Sequence, residues 1–460
     1  MGRPEIRPGD DDFTMAGALA SGPMTSPPGQ VLEPASAPAT AGEPESGRAV
    51  RVPGWLPRGG RAAAAVAVIR REWVACAFAA SAVFAAITAL TSFNAPERVW
   101  GTFAAASYGV AAVAAAAAPG RGIRLAVLVS LGGAVAAPLA WMAVTGLAQP
   151  EVGVIIRSAA MLVHRGTPYL SPAALAAAHT WRAYDPYLPA LIVFGVPRVL
   201  GAGPFTDPRF WFGIAFIAAF GAAVRIAGVR RPVWRTALVT ASPEIALPLA
   251  VGGDDLPVLG LLCLGLALAG RARQAKQGQW RWAAAAGLAL GLAAAMKATA
   301  WPALAVVAVL LAARQGRRAA CWLAAAALAA GLAADGPVVA AHPAAALANT
   351  VLYPLGLTKA ASPAASTLPG HLLAGAAGWG RWTALALMAL AVAGFTIWLI
   401  ARPPADARAA GWRLALGLAL LFMLAPASRV GYFVYPLGLA AWLLLCRWDE
   451  RGRPAGRETR

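Results

Sequence analysis

Charge is scarce in this sequence. Only 13% of its 460 residues are Asp, Glu, Lys or Arg, where soluble domains carry roughly a quarter, and the shortage excludes an ordinary water-soluble domain. Acids are the scarcer sign, with 20 Asp and Glu against 39 Lys and Arg, for a formal net charge of +19. A surplus of that size suggests a nucleic-acid partner. The basic residues fall instead in short clusters between apolar runs, with no basic surface interleaved with aromatics, so no nucleic acid is expected. Cysteine is limited to Cys76, Cys263, Cys321 and Cys446, all inside apolar runs and without CxxC spacing, which excludes a disulfide framework or a zinc site. They read as small buried hydrophobes. A signal-peptide pattern is also missing: the first apolar run starts only after Trp55 and has no small-residue cleavage site behind it, so the first span is expected to remain as an anchor.

What is present is apolar. The hydrophobic set makes up 59% of the chain, with a mean hydropathy of +0.62. From Trp73 onward, runs of about 16 to 25 residues recur, enough to cross a hydrocarbon core of roughly 30 Å. The expectation is an all-α polytopic membrane protein, a bundle of about twelve transmembrane helices with outer loops that carry interfacial helices. The spans are predicted at 73–93, 99–118, 123–147, 209–228, 235–251, 255–270, 281–297, 299–313, 318–335, 379–401, 411–426 and 430–447. Residues 1–60, rich in Pro, Ala, Ser and Gly, read as a disordered cytoplasmic tail. Residues 61–447 form the membrane domain and 448–460 a second cytoplasmic tail.

The threading is tested by where positive charge falls, since short basic loops stay cytoplasmic. "RAVRVPGWLPRGGR", "GRGIR", "RRPVWR", "RARQAKQGQWR", "RQGRR" and "ARPPADARAAGWR" all come out on one side, together with the C-terminus. That agreement requires residues 187–200, "YLPALIVFGVPRVL", not to cross. At about fourteen residues with two prolines the segment suits an interfacial or re-entrant helix better than a span. Two large loops, 148–208 and 336–378, then lie on the extracytoplasmic side of the cell membrane.

The first of these loops opens with "PEVGVIIRSAAMLVHRGTPYLSP". The pattern predicts an amphipathic helix with Val152, Ile155, Ile156, Ala159, Leu162 and Val163 on one face and Arg157, Ser158, His164 and Arg165 on the other. Gly166 and Pro168 end it, and a short helix capped by Ser171 with Pro172 at its first position follows. The aromatic, proline-rich corner "WRAYDPYLPAL" comes next.

An acid at the membrane face, interfacial helices and a Tyr/Pro corner resemble the first outer loop of the GT-C membrane glycosyltransferases. Glu151, "RGTPYL" and "YDPYLPAL" hold the places of that group's Asp, its "G-x-P-L/Y-Y" turn and its "Y-P-P-L" corner, so Glu replaces the usual Asp and Asp185 replaces a Pro. The resemblance is nearest to glycosyltransferase family 87 and the related polyprenol-phosphomannose-dependent mannosyltransferases of actinobacteria. Three later stretches share it: "GGDDLPVLGLLCLGLALAGR", "AAGLALGLAAAMKATAWPAL" and "LAPASRVGYFVYPL". Together they touch residues 150–447.

The resemblance implies a hexosyltransferase that moves a sugar, mannose by analogy, from a polyprenyl-phosphate donor to an extracytoplasmic glycan or glycolipid, with inversion. Such chemistry wants cations for the lipid phosphate and a carboxylate base near the anomeric carbon. Glu151 is the expected base, kept ionised by the helix N-terminus. Lys297 and Arg429 are the expected phosphate clamp, and Asp254 and Asp255 sugar contacts or ligands of an accessory divalent cation. No metal is required, because two adjacent Asp side chains do not complete an oxygen cage. Tyr169, Asp185, Tyr187, Tyr432 and His164 are further candidate substrate contacts. Competing accounts stay open here: snorkelling for Lys297, a helix-dipole role for Glu151, a solvating turn for "GGDD". A twelve-span secondary transporter using Asp254, Asp255, Lys297 and Asp335 is the alternative function, although no internal repeat supports it. An inactive GT-C-like protein is another.

Overall fold

The computed structural model describes residues 59–451 apart from 119, 120, 276 and 361, with side chains described from 72 to 446. The segments expected as tails lie almost wholly outside the described residues. Among those described, every named element is helical, and the one β contact is an isolated bridge between Ala365 and Ser428. In chain order the helices are α1 (Gly59–Thr91), α2 (Ala95–Ala117), α3 (Arg121–Thr145), α4 (Pro150–Arg165), α5 (Pro172–Ala178) and α6 (Pro189–Leu200). Next come α7 (Pro208–Ile226), α8 (Pro232–Thr240), α9 (Pro243–Val251), α10 (Leu256–Gln274), α11 (Gln279–Met296) and α12 (Trp301–Gln315). The last six are α13 (Arg317–Ala341), α14 (Pro343–Leu352), α15 (Pro369–Ala376), α16 (Gly380–Ala401), α17 (Ala407–Leu424) and α18 (Val430–Cys446).

Proline sets many of the starts. Pro150, Pro172, Pro189, Pro208, Pro232, Pro243 and Pro369 stand in the first turn of their helices, where a missing N–H removes no intrahelical bond. Three side-chain caps add to this, from Ser171, Asp207 and Asp406. Inside α3, residues Leu131–Ala136 widen into a π-turn. Such a turn disturbs the local ladder, and the buried Trp100 indole donates to the Ala134 carbonyl at 2.8 Å.

Nine of the described helices are long and apolar enough to cross a membrane, and they match nine of the twelve predicted spans. The other three differ for visible reasons. The span expected at 235–251 is broken at Ala241–Ser242, where Pro243 cannot continue α8; Tyr108 donates its hydroxyl to the freed Ala241 carbonyl at 2.8 Å. The span expected at 281–297 is α11, whose first turn, Gln-Trp-Arg-Trp, is polar and lowers the hydropathy of the helix. The span expected at 430–447 begins with a 3-10 turn and is shorter. Residues 187–200 form only short helical turns, twelve residues from Pro189 to Leu200.

Burial orders the bundle. In α10, 72% of the apolar window is buried, against 11% in α1, α13 and α16, so α10 is the central post and those three face outward. Around α10 pack α7, α11, α12, α17 and α18. Helices α11 and α13 approach so closely that a Cβ on Gly287 would stand 2.3 Å from the Leu323 carbonyl oxygen. At one end of the bundle the basic loops gather: Arg273 donates to Ala405 and Arg314 to Pro404, each at 3.0 Å. The opposite end, roughly 28 Å away along the nineteen residues of α10, carries Asp254 and Asp255.

Candidate active site

The "GGDD" turn joins α9 to α10 at that second end. Gly253 has φ +58°, a left-handed conformation that glycine adopts without a Cβ penalty. At Gly252 a Cβ would lie 2.7 Å from the Gln149 side-chain oxygen. The two glycines therefore let the turn fold tightly against the chain that leads into α4, and the Gln149 amide bonds the Val251 carbonyl at 2.9 Å. Asp254 is buried as a result, which is not the environment of a solvating turn.

Lys297 ends α11 in an extended conformation. Its ammonium stands 2.8 Å from Asp254 Oδ2 and 2.5 Å from Asp255 Oδ1, and 4.8 Å above the Tyr187 ring. It does not snorkel. Asp255 Oδ1 also accepts from Tyr435 at 2.7 Å, and the Tyr435 oxygen accepts from Thr299 at 3.1 Å. Burial works against the Lys297 charge, but the two carboxylates outweigh it and move its pKa up. Asp254 also moves up: burial is the main cause and the neighbouring Asp255 adds to it, while Lys297 pulls the other way.

A second ion pair lies beside the first. Arg429 Nη1 donates to Glu151 Oε1, with Glu151 in the first turn of α4. Glu151 contributes to the upward shift of Asp254, so the two clusters share one electrostatic field. Tyr187 and Tyr432 feel both: burial raises each phenol, and Asp254 and Glu151 act on Tyr187 while Lys297, Asp255 and Arg429 act on Tyr432. The link that carries Arg429 is strapped by the second large loop, where Ser366 donates its amide to Ser428 and accepts the Val430 amide, both at 3.1 Å.

Two carboxylate oxygens in this group have no aligned donor. Glu151 Oε2 is buried without a hydrogen bond, and Asp254 Oδ2, in ionic contact with Lys297, lacks one as well. A buried acceptor in the state of Glu151 Oε2 is costly, and a hydroxyl group of a bound sugar is suited to it. Among the described residues no three His, Cys, Asp or Glu side chains form a group able to hold a metal ion.

Glu151, Asp254, Asp255, Lys297, Arg429, Tyr187 and Tyr432 are thus brought together. The other expected contacts are placed elsewhere. Tyr169 is buried and donates its hydroxyl to the Tyr187 carbonyl at 2.8 Å, behind the site. Asp185 is 1% exposed and holds the corner: its Oδ1 accepts the Tyr187 amide at 3.0 Å and its own amide bonds Asn349 at 2.9 Å. His164 is exposed near the far end of α4, about 20 Å along the helix from Glu151. Ser158, expected on the polar face of α4, is buried, whereas Val163 is 43% exposed. Ser158 Oγ is buried without an aligned hydrogen-bond partner, close enough to Asp185 to stabilise its carboxylate.

A family model for glycosyltransferase family 87 matches residues 186–426, more than half of the chain. The chain belongs to glycosyltransferase family 87. It is accordingly a membrane glycosyltransferase, and no curated protein and no solved structure matches it. The stretch shared with family 87 holds Tyr187, Asp254, Asp255 and Lys297, while Glu151 and Arg429 fall outside it. Two further residues brace the loops around this site. Asn349, fully buried, donates to Leu170 at 3.2 Å and so bolts the second loop to the first. Asp335 accepts the Ala190 amide at 3.1 Å, positioning the start of α6. A lone Asn in a loop carries no sequence signal, but an Asp inside the apolar run of α13 does.

The Asp185 environment gives a stability test. Burial pushes its carboxyl up to about 7, against the Ser158 hydroxyl, the Tyr187 amide and Arg157, with Asp254 adding to the rise. A carboxyl whose folded pKa exceeds its unfolded value, here 3.8, favours the fold below that unfolded value and loses the contribution as pH rises through the folded one. The melting temperature in detergent should therefore fall between about pH 4 and pH 7. Asp185→Asn keeps the acceptor for Tyr187 and should flatten that slope. An unchanged slope would remove Asp185 as its source.

Proposed function

We propose that this family 87 protein transfers a hexose, mannose by its resemblance to the actinobacterial enzymes, from a polyprenyl-phosphate donor to an extracytoplasmic glycan or glycolipid, with inversion. The observation that carries the reading is the side-by-side placement of the Glu151–Arg429 and Asp254/Asp255–Lys297 pairs, with Glu151 Oε2 buried and without a donor. Inversion needs one base acting on the acceptor hydroxyl while the phosphate leaves from the opposite face of the sugar. Glu151 Oε2 is the base, its partner oxygen held by Arg429. Asp254 Oδ2 takes a sugar hydroxyl.

The two cations divide the work of the phosphate clamp. Arg429 has a side chain 31% exposed and bonds Glu151 through Nη1; a guanidinium has five N–H donors, so others remain for phosphate. Lys297 is closed in by Tyr187 and the two Asp side chains and sets the carboxylates more than it reaches the lipid. Basic loops at the far end of the bundle favour a cytoplasmic placement for that end and an extracytoplasmic one for the site.

The test is direct transfer. Membranes containing the protein are given radiolabelled polyprenyl-phosphate mannose, glucose or arabinose, and label is followed into glycans and glycolipids. Transfer from the mannosyl donor is expected, abolished by Asp254→Asn. Ion-coupled uptake of a solute with no transfer from any donor would overturn the reading in favour of a transporter.

A further inference from the structure

Arg209 is fully buried at the start of α7 and belongs to neither ion pair of the site. Its backbone amide and Nε both donate to Asp207 Oδ1, at 3.0 and 2.9 Å, and Nη2 meets Asp207 Oδ2 at 2.7 Å. That fork holds the guanidinium in one orientation. The remaining Nη1 donates twice, to the Leu147 carbonyl at 2.9 Å and to the Ala250 carbonyl at 3.1 Å.

Those two carbonyls belong to different segments of the site. Leu147 stands four residues before Glu151, and Ala250 four residues before Asp254. Both lie at helix ends, where carbonyls have no intrahelical partner: Leu147 follows the left-handed Gly146 that ends α3, and Ala250 lies in the last turn of α9. One side chain thus ties the segment that delivers the proposed base to the segment that delivers the proposed sugar-binding acid. The Gln149 amide on the Val251 carbonyl, 2.9 Å, extends the same tie by one more rung.

We propose that Arg209, oriented by Asp207, is a positioning residue that fixes the spacing of Glu151 and Asp254 for sugar transfer. The assignment rests on the functional reading above. Transfer of a sugar between two groups depends steeply on their placement, so that a displacement of about 1 Å costs on the order of 10²-fold in rate. A lysine could not replace the fork, because a compact ammonium cannot grip a carboxylate in two parallel bonds and also span two carbonyls.

The experiment uses the full chain in proteoliposomes. Removing Arg209 alone would strand Asp207, so the principal variant is Asp207→Asn with Arg209→Gln, which removes both charges together and is expected to fold. Its kcat should fall at least about tenfold per folded molecule, with KM for the donor unchanged within about twofold. Arg209→Lys should lie between it and the wild type, and carries the same comparison should the double variant fail to fold. A second readout needs no donor: carbodiimide labelling of Glu151 and Asp254, followed by peptide mass spectrometry, should rise in the variants while Asp406 at the other end stays constant. Wild-type kcat per folded molecule together with unchanged labelling would overturn the proposal. Should no polyprenyl-phosphate sugar be used even by the wild type, the donor assignment falls, and the labelling still decides whether Arg209 positions the two acids.

Discussion

Replacing Glu151 by Gln is expected to lower kcat by about 10²–10⁴-fold, the usual contribution of a general base, with little change in KM for the donor. The substitution keeps Oε1 in place for Arg429 and changes only the buried oxygen that has no donor. The resulting amide cannot take the acceptor proton. Initial rates with radiolabelled donor across its concentration range separate the two parameters, and a fall confined to kcat marks an interaction made in the transition state. A near-wild-type kcat would move the base to Asp254, the next carboxylate in the site.

The second large effect concerns stability. Lys297→Met should destabilise the fold by about 3–5 kcal/mol, the cost of leaving buried charge without its partner. Lys297 is 8% exposed in its side chain and its two acids 10% and 14%, so solvent offers little relief. The deficit should shrink as the pH is lowered, because stranded carboxylates have raised pKa values and protonate. Adding Asp254→Asn and Asp255→Asn to Lys297→Met should restore most of the melting temperature while abolishing activity. A triple variant as unstable as Lys297→Met would show that the lysine acts through packing on Tyr187, not through charge.

Much of this site could be read from the sequence, and the limits are physical. Hydropathy and the distribution of basic residues put Glu151, Asp254, Lys297 and Arg429 at one end, because span direction alternates and charge is expensive in the apolar core. The pairing of those residues was not legible. Glu151 and Arg429 are 278 positions apart in the chain, and no local pattern states which acid meets which cation. The break in the span expected at 235–251 was marked by Pro243 yet hidden by apolar residues on both sides, since hydropathy averages over a backbone interruption. Nothing in the sequence around Arg209 states which distant carbonyls its guanidinium meets. Ser158 follows the helical period onto the polar face, but the folded chain buries it near Asp185, a contact 27 residues away in sequence that the period does not state.

The charge count of the site bears on turnover. Three carboxylates, Glu151, Asp254 and Asp255, surround two cations, Lys297 and Arg429, which leaves one negative charge in surplus before any ligand arrives. On the proposed chemistry the donor enters as a phosphodiester with a single negative charge. It departs as a polyprenyl monophosphate, which carries about 1.5 to 2 negative charges at neutral pH, like other phosphate monoesters. Glu151 takes the acceptor proton in the same step, so repulsion grows once that proton is released, and the spent lipid is then pushed out by the same acids that held the sugar.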